Sequence, residues 1–355
     1  MNEAPGPGAP GPGAPGPVAS ARLDRFVVGT GRCGSTLLTK MLDSHRDLLG
    51  LNEVFTGLDW GMRFTADAVT GAAVAGILAT PNPVIQMVTA RGHEAEEVTY
   101  RFGPGDRHRR GDPLPWILTS TLGHLSDHPD AHWDALSAWL SARPAGPVAG
   151  HYRALFAHLA TEAGASAWVE RSGSSIDYVG DLLDCFAGAP VETGAVPAKV
   201  VHIHRDGAEV ALSMRNHAFY RLAVQLFYGV MPEGVDPDDE EAVVDGWLGG
   251  DPPIGLYGRY WSEQLAHGEA TLAGNGPDRL RTVGFEDLVA DPAPVMAELA
   301  GFLELSDDPG FPTRAAALVR GVPPSRLGDL GPSERSALDE ACAPGRAVLA
   351  RLGVG

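Results

Sequence analysis

Arg25-Phe26-Val27-Val28-Gly29-Thr30-Gly31-Arg32-Cys33-Gly34-Ser35-Thr36-Leu37-Leu38 decides how this chain folds. Phe26-Val27-Val28 is apolar without alternation, which reads as a buried parallel strand. A glycine-rich turn follows, and Leu37, Leu38, Met41 and Leu42 then share one helical face. A strand, a tight turn and a helix start together make an anion site. The glycines let the backbone approach the ligand, and the unpaired N–H groups of the first helical turn face it.

Two familiar patterns fit this turn in part. Gly29-x-Gly31-x-x-Gly34 matches the dinucleotide fingerprint, and Glu53 stands 19 residues beyond Gly34, where a ribose-binding acid is expected. Gly29-x-x-x-x-Gly34 also has Walker A spacing, but Ser35 stands where that motif has lysine. Neither pattern uses Arg32 or the Ser35-Thr36 pair. An arginine in the turn can reach a phosphate as a forked donor, and two hydroxyls at the helix start can add further donors. The plainer alternative is a βα turn that Ser35 and Thr36 merely cap.

The chain has 355 residues, enough for one large domain or two smaller ones. Residues 1–20 are a Pro/Gly/Ala repeat with almost no core-forming side chain, read as a disordered tail ahead of a single domain over 21–355. No apolar run suggests a membrane span, and the N-terminus lacks the pattern of a signal peptide. The net charge of −18 repels nucleic acid and anionic membranes, so neither is an expected partner. Only two of the 27 basic residues, Lys40 and Lys199, are lysines, and Ala, Gly and Pro are abundant. That composition looks like a GC-rich genome's coding bias. Cys33, Cys185 and Cys342 are far apart and odd in number, which fits a reducing cytoplasm and no disulfide framework.

Strand and helix patterns alternate over much of the chain. Leu48–Glu53, Ala167–Glu170, Ala198–His204 and Leu280–Phe285 read as strands. Tyr152–Ala163, Ile176–Phe186, Ala208–Tyr228, Tyr257–Ala273 and Val295–Leu303 read as helices. The expected fold is therefore α/β, a doubly wound and mainly parallel sheet flanked by helices. A mainly helical insertion is expected at about 54–165, with helical stretches at Trp116–Leu125 and Ala131–Leu140. Ligands of such sheets gather at the carboxyl ends of the strands.

A second strand-to-helix turn repeats the logic of the first. In His202-Ile203-His204-Arg205-Asp206-Gly207, continuing to Ser213, an arginine sits where a strand ends and a serine follows in the second helical turn. Hydride transfer to a nucleotide gives that pair no task, whereas a second phosphate does. Arg32-Cys33-Gly34-Ser35-Thr36 together with Arg205-Asp206-Gly207…Ser213 resembles the sulfotransferases that use 3′-phosphoadenosine 5′-phosphosulfate (PAPS). Trp168–Ser174 is similar to that family's strand carrying a basic residue towards the sulfuryl group. Phe285–Pro292 is similar to its late "YEDLVADP" signature. The four stretches lie in order within about 24–55 and 165–305, and the insertion is not covered.

The resemblance implies a P-loop NTPase-like fold, PAPS as sulfuryl donor with 3′,5′-ADP as product, and no metal. It implies that Gly31, Arg32, Cys33, Gly34, Ser35 and Thr36 hold the 5′-phosphosulfate, and that Arg205 and Ser213 hold the 3′-phosphate. Arg171 takes the place of a residue that is often lysine in the family and would stabilise charge on the transferred group. Glu53 is the candidate general base, with Asn52-Glu53-Val54-Phe55 matching members that carry a catalytic glutamate there. Many cytosolic members use a later histidine instead. Pro323–Gly328, with Arg326, resembles a loop that closes over the cofactor.

His202 and His204 share a face of their strand, and His124, His128 and His132 are spaced by four with Pro129 interrupting them, so neither set makes a metal site. The acceptor is expected to be a small molecule, at least partly apolar, selected by the insertion and by loops at 229–256. Composition suggests a secondary metabolite. A nicotinamide-dependent oxidoreductase and a non-catalytic nucleotide-binding regulator are the competing expectations.

Overall fold

Five short strands form the centre of the molecule: β1 (Arg25–Gly29), β2 (Leu48–Asn52), β3 (Ala167–Arg171), β4 (Lys199–His204) and β5 (Leu280–Gly284). All pair in parallel, in the order β2-β3-β1-β4-β5. The computed structural model describes residues 23–93, 98–188 and 197–354, so the 1–20 tail lies outside the described residues.

The apolar runs of these strands serve two faces at once, because successive side chains point to opposite sides of a sheet. Phe26, Val28, Leu49, Leu51, Trp168 and Val200 face one core. Val27, Leu48, Val169, Val201, Ile203 and Val283 face the other. Helix α1 (Ser35–Asp43) covers the second face with Leu38, Met41 and Leu42. The first face is larger, and α2 (Val148–Glu162), α3 (Val179–Gly188) and α4 (Gly207–Arg215) cover it. Helices α5 (Ala218–Tyr228), α6 (Ile254–Ala273) and α9 (Pro332–Arg351) add to that side. Helices α7 (Phe285–Ala290) and α8 (Pro292–Phe302) follow β5, and Met296 and Leu299 of α8 return to the face under α1. This is a doubly wound, P-loop NTPase-like α/β sheet. Among the described residues no helix is long and apolar enough to cross a membrane.

Between β2 and β3 the chain leaves the sheet. Short helices at Gly71–Ala79, Pro83–Ala90, Trp116–Thr119, Thr121–Leu125 and Pro129–Ser141 make this excursion mainly helical. A two-residue antiparallel pair closes its neck, Ala68 opposite Pro147 and Val69 opposite Gly146. Helix α2 then runs back over the sheet as the crossover into β3.

Two expected helices are broken. The Trp116–Leu125 pattern is interrupted at Ser120, whose φ of −127° is not helical. The Ala208–Tyr228 pattern divides into α4 and α5, because the Asn216 side chain bonds the Leu212 carbonyl and His217 takes an extended φ of −113°. The second break turns α5 across the carboxyl ends of the strands.

Candidate active site

A cavity of about 260 Å³ opens at those ends, lined by the turns that follow β1, β2 and β4, by the end of β3, and by α1, α4 and α5. Arg32, Gly34, Ser35, Thr36, Glu53, Arg171, Arg205 and Ser213 all line it. Residues far apart in the chain, chosen from two turns and two strand ends, thus meet in one place.

The first turn is shaped by its backbone. Gly34, the residue before α1, has φ 95°, and a Cβ there would fall 2.2 Å from the Phe285 ring. A Cβ on Gly31 would fall 1.8 Å from the Tyr220 hydroxyl. Arg32 itself has φ 62°. The residue before α1 is a glycine and offers no side-chain cap to the first helical turn, whose Ser35, Thr36 and Leu37 line the cavity. Cys33 is different: its side chain is wholly buried, and burial raises its thiol pKa, so only its backbone belongs to the turn.

Glu53 follows β2 and is buried, with φ 57°. Its Oε1 meets Arg171 Nη1, and its Oε2 accepts from the Gly173 amide at 2.8 Å and from the Thr56 hydroxyl. The other terminal nitrogen of Arg171 donates to Thr36 Oγ1 at 2.9 Å and Asn52 Oδ1 at 3.0 Å. Arg171 therefore ties the carboxylate at the end of β2 to the hydroxyl at the start of α1. Its Nε is buried without a hydrogen-bond partner among the described residues. Backbone held in the left-handed region costs about 1–3 kcal/mol per side-chain-bearing residue, and such positions cluster at functional sites. Here Arg32 and Glu53 line the cavity and Ser174, with φ 52°, adjoins it.

The second turn closes the far side. Arg32 Nε donates to Ser213 Oγ at 3.3 Å, so the two turns touch. Arg205 lies over the Phe285 ring at 4.6 Å, and the same ring backs Gly34. The late Phe285–Pro292 stretch thereby supports both turns with one aromatic side chain. Arg205 also approaches Glu209 at 3.8 Å, and its Nε is buried without a hydrogen-bond partner among the described residues. Asp206 caps α4, accepting from the Ala208 and Glu209 amides.

The remaining wall is apolar. Leu37, Ile85, Trp116 and Phe219 line it, and the Trp116 indole donates to the Glu53 carbonyl at 2.7 Å. Thr56 and His217 line the cavity without having been singled out by the sequence. Thr56 gave no pattern of its own. His217 marks the α4–α5 break, which the apolar run through 208–228 conceals.

Arg326 is not brought to this site. It is exposed on the 320–326 loop and does not line the cavity. Its neighbour Ser325 bonds Glu209 at 2.5 Å, which sets the loop beside α4. His202 is buried in the sheet with no hydrogen-bond partner on either ring nitrogen among the described residues, and burial pushes its pKa down to about 3. His132 bonds Glu162 at 3.0 Å, away from His124 and His128. Among the described residues no group of three or more His, Cys, Asp or Glu is placed to hold a metal ion.

No protein-family model matches the chain, and no curated protein matches it. Solved structures do resemble it. The sulfotransferase domain from the curacin biosynthetic pathway aligns with TM-score 0.48 and 15% identity, over 94% of this chain and 98% of that one. The sulfotransferase domain of the Synechococcus PCC 7002 olefin synthase aligns with TM-score 0.48 and 18% identity, over 94% of each chain. Sulfotransferase STF9 from Mycobacterium avium aligns with TM-score 0.46 and 14% identity, over 94% of this chain and 76% of that one. These three structures that the chain resembles are all sulfotransferases.

Proposed function

We propose that the protein is a PAPS-dependent sulfotransferase acting on a hydroxyl or amine of a small, apolar molecule. The observation that carries this reading is the convergence of two anion-binding turns and a buried Glu–Arg pair on one cavity. Two separate phosphate positions suit a bisphosphorylated adenosine, and the unpartnered Arg205 nitrogen on one side and the crowded glycines on the other fit such a ligand.

When bound, the donor supplies a sulfuryl group activated as a mixed anhydride with phosphate. Glu53 takes the acceptor's proton as the acceptor's oxygen or nitrogen bonds to sulfur and the bond from sulfur to the phosphate oxygen breaks. Backbone amides of the first turn, Arg32, Ser35 and Thr36 bear the charge left on that phosphate. Arg205 and Ser213 hold the second phosphate. Arg171 pairs with Glu53 and aims it, rather than standing alone as a charge on the transferred group. The apolar wall of Leu37, Ile85, Trp116 and Phe219 carries no cation, which suits an uncharged acceptor such as a small secondary metabolite. With net charge −18 and three free cysteines, we propose a cytoplasmic enzyme that engages neither nucleic acid nor membrane.

Strand order speaks against the oxidoreductase reading. Dinucleotide folds set their second strand directly beside the first, whereas here β3 intervenes, and Glu53 faces Arg171. The test is ligand-linked stability. At 100 times its Kd a ligand adds about 2.7 kcal/mol, so 3′,5′-ADP should raise the Tm by several degrees. Arg205→Ala should abolish the rise. No shift with 3′,5′-ADP, or a shift with NADP alone, rejects the proposal. Mass spectrometry of reactions with PAPS and candidate acceptors then identifies the product by its gain of SO3.

A further inference from the structure

Glu170 is an acid where the sheet calls for an apolar residue. It sits on β3 between Phe26 of β1 and Leu51 of β2, on the face shared with Trp168, and is 1% exposed. Burying a carboxyl among aromatic and aliphatic side chains costs stability, and a well-packed apolar residue in its place is often neutral or stabilising. Something other than packing therefore accounts for it. Its partners show what. Ser172 Oγ donates to Glu170 Oε1 at 2.5 Å and accepts the Phe55 amide at 2.9 Å. The Val54 amide lies close enough to the Glu170 carboxyl to oppose the rise in its pKa. Glu53 N–H donates to the Arg171 carbonyl at 2.7 Å. Two amides after β2, those of Glu53 and Phe55, thus fasten to the end of β3. The residue they fix is Glu53, whose φ of 57° would relax without them.

We propose that Glu170 is a positioning residue for Glu53: acting through Ser172 and the Phe55 amide, its buried carboxyl pins the 53–55 turn and so aims the base into the cavity. The meaning of that aim rests on the sulfotransferase reading; the pinning does not. Burial pushes the Glu170 carboxyl up to about 8, with Glu53 adding to the rise while Ser172, Arg171 and Val54 oppose it. Tyr178, whose own pKa its burial and this carboxyl raise, faces it from the turn after β3, with Arg63 over the Tyr178 ring. Burial thus favours the protonated form of Glu170.

The experiment compares Glu170→Leu, Glu170→Gln and Ser172→Ala for turnover, 3′,5′-ADP affinity and Tm. A misplacement of about 1 Å can cost 10²-fold, so Glu170→Leu should lower kcat by roughly 10–100-fold. Its donor KM and 3′,5′-ADP affinity should hold, and its Tm should stay level or rise. Glu170→Gln keeps an acceptor for Ser172 and should recover most of that loss. Ser172→Ala should lower kcat alone. The proposal is overturned if Glu170→Leu turns over normally, if Gln is as poor as Leu, or if the loss of kcat tracks a fall in Tm or in nucleotide affinity. Should Glu170→Leu not fold, Ser172→Ala decides by the same criteria. Should the wild type transfer no sulfuryl group, the functional reading fails by itself. A crystal structure of Ser172→Ala then still decides the pinning: Glu53 leaving the left-handed region supports it, and Glu53 remaining there overturns it.

Discussion

Glu53 combines a buried carboxylate, an arginine partner and a left-handed backbone in one residue. A general base contributes about 10²–10⁴-fold, so Glu53→Gln should lower kcat by that order and leave the 3′,5′-ADP-induced Tm rise intact. Steady-state kinetics beside thermal shift separates the two effects. Gly34 gives a complementary case. Alanine there is strained at φ 95° and runs into Phe285, so Gly34→Ala should lose the nucleotide-induced Tm rise while Glu53→Gln keeps it. Arg32, Ser35, Thr36, Arg205 and Ser213 stood out in the sequence by residue type and local spacing, and all five line the cavity. Glu170 and Thr56 did not stand out. The links that give them meaning, Ser172 to the Phe55 amide and Thr56 to the Gly173 carbonyl, join residues more than a hundred apart across the β2–β3 register, and no local pattern reports it.

Among the elements, α4 and α5 show what periodicity hides. The run 208–228 is apolar enough for one helix, yet Asn216 and His217 break it. The break lets Phe219 and Tyr220 face the cavity instead of passing it. Sequence reading found the strands well because parallel strands buried on both faces leave continuous apolar runs, a strong signal. Helix breaks made by a single side-chain bond leave little signal. The start of α4 is equally local: Asp206 accepts from the Ala208 and Glu209 amides at 3.0 and 3.1 Å. Losing such a cap costs about 0.5–2 kcal/mol, so Asp206→Ala should lower the urea midpoint accordingly, with an unchanged m-value. It should also weaken 3′,5′-ADP binding, since Arg205 immediately precedes the cap.

Across the whole molecule, two buried titratable groups on one sheet shape the pH dependence of stability. His202 has its folded pKa depressed to about 3, so the unfolded chain binds its proton first and stability declines as pH falls below the ordinary histidine range. Glu170 has its folded pKa raised to about 8, so the folded chain keeps a proton that the unfolded chain releases, and stability declines as pH rises from the ordinary carboxylate range towards 8. Glu170→Gln removes the second dependence. Its urea midpoint should exceed the wild type's by a margin that widens from pH 5 to pH 8, and a margin constant with pH would refute this. The neck at Ala68–Val69 and Gly146–Pro147 has a different consequence. The stretch between its two sides leaves and returns at adjacent chain ends, yet it is not separable from the sheet: Leu118 and Leu122 share a core with Phe26 and Trp168, Trp116 bonds the Glu53 carbonyl and Thr121 the Asn52 carbonyl. Ile85 and Trp116 lie within it, whereas Arg32, Glu53, Arg171 and Arg205 lie outside. On the proposed function, a foreign cassette grafted at this neck redirects what the molecule modifies only if it brings its own replacements for Trp116 and Thr121, the two side chains that bond the end of β2.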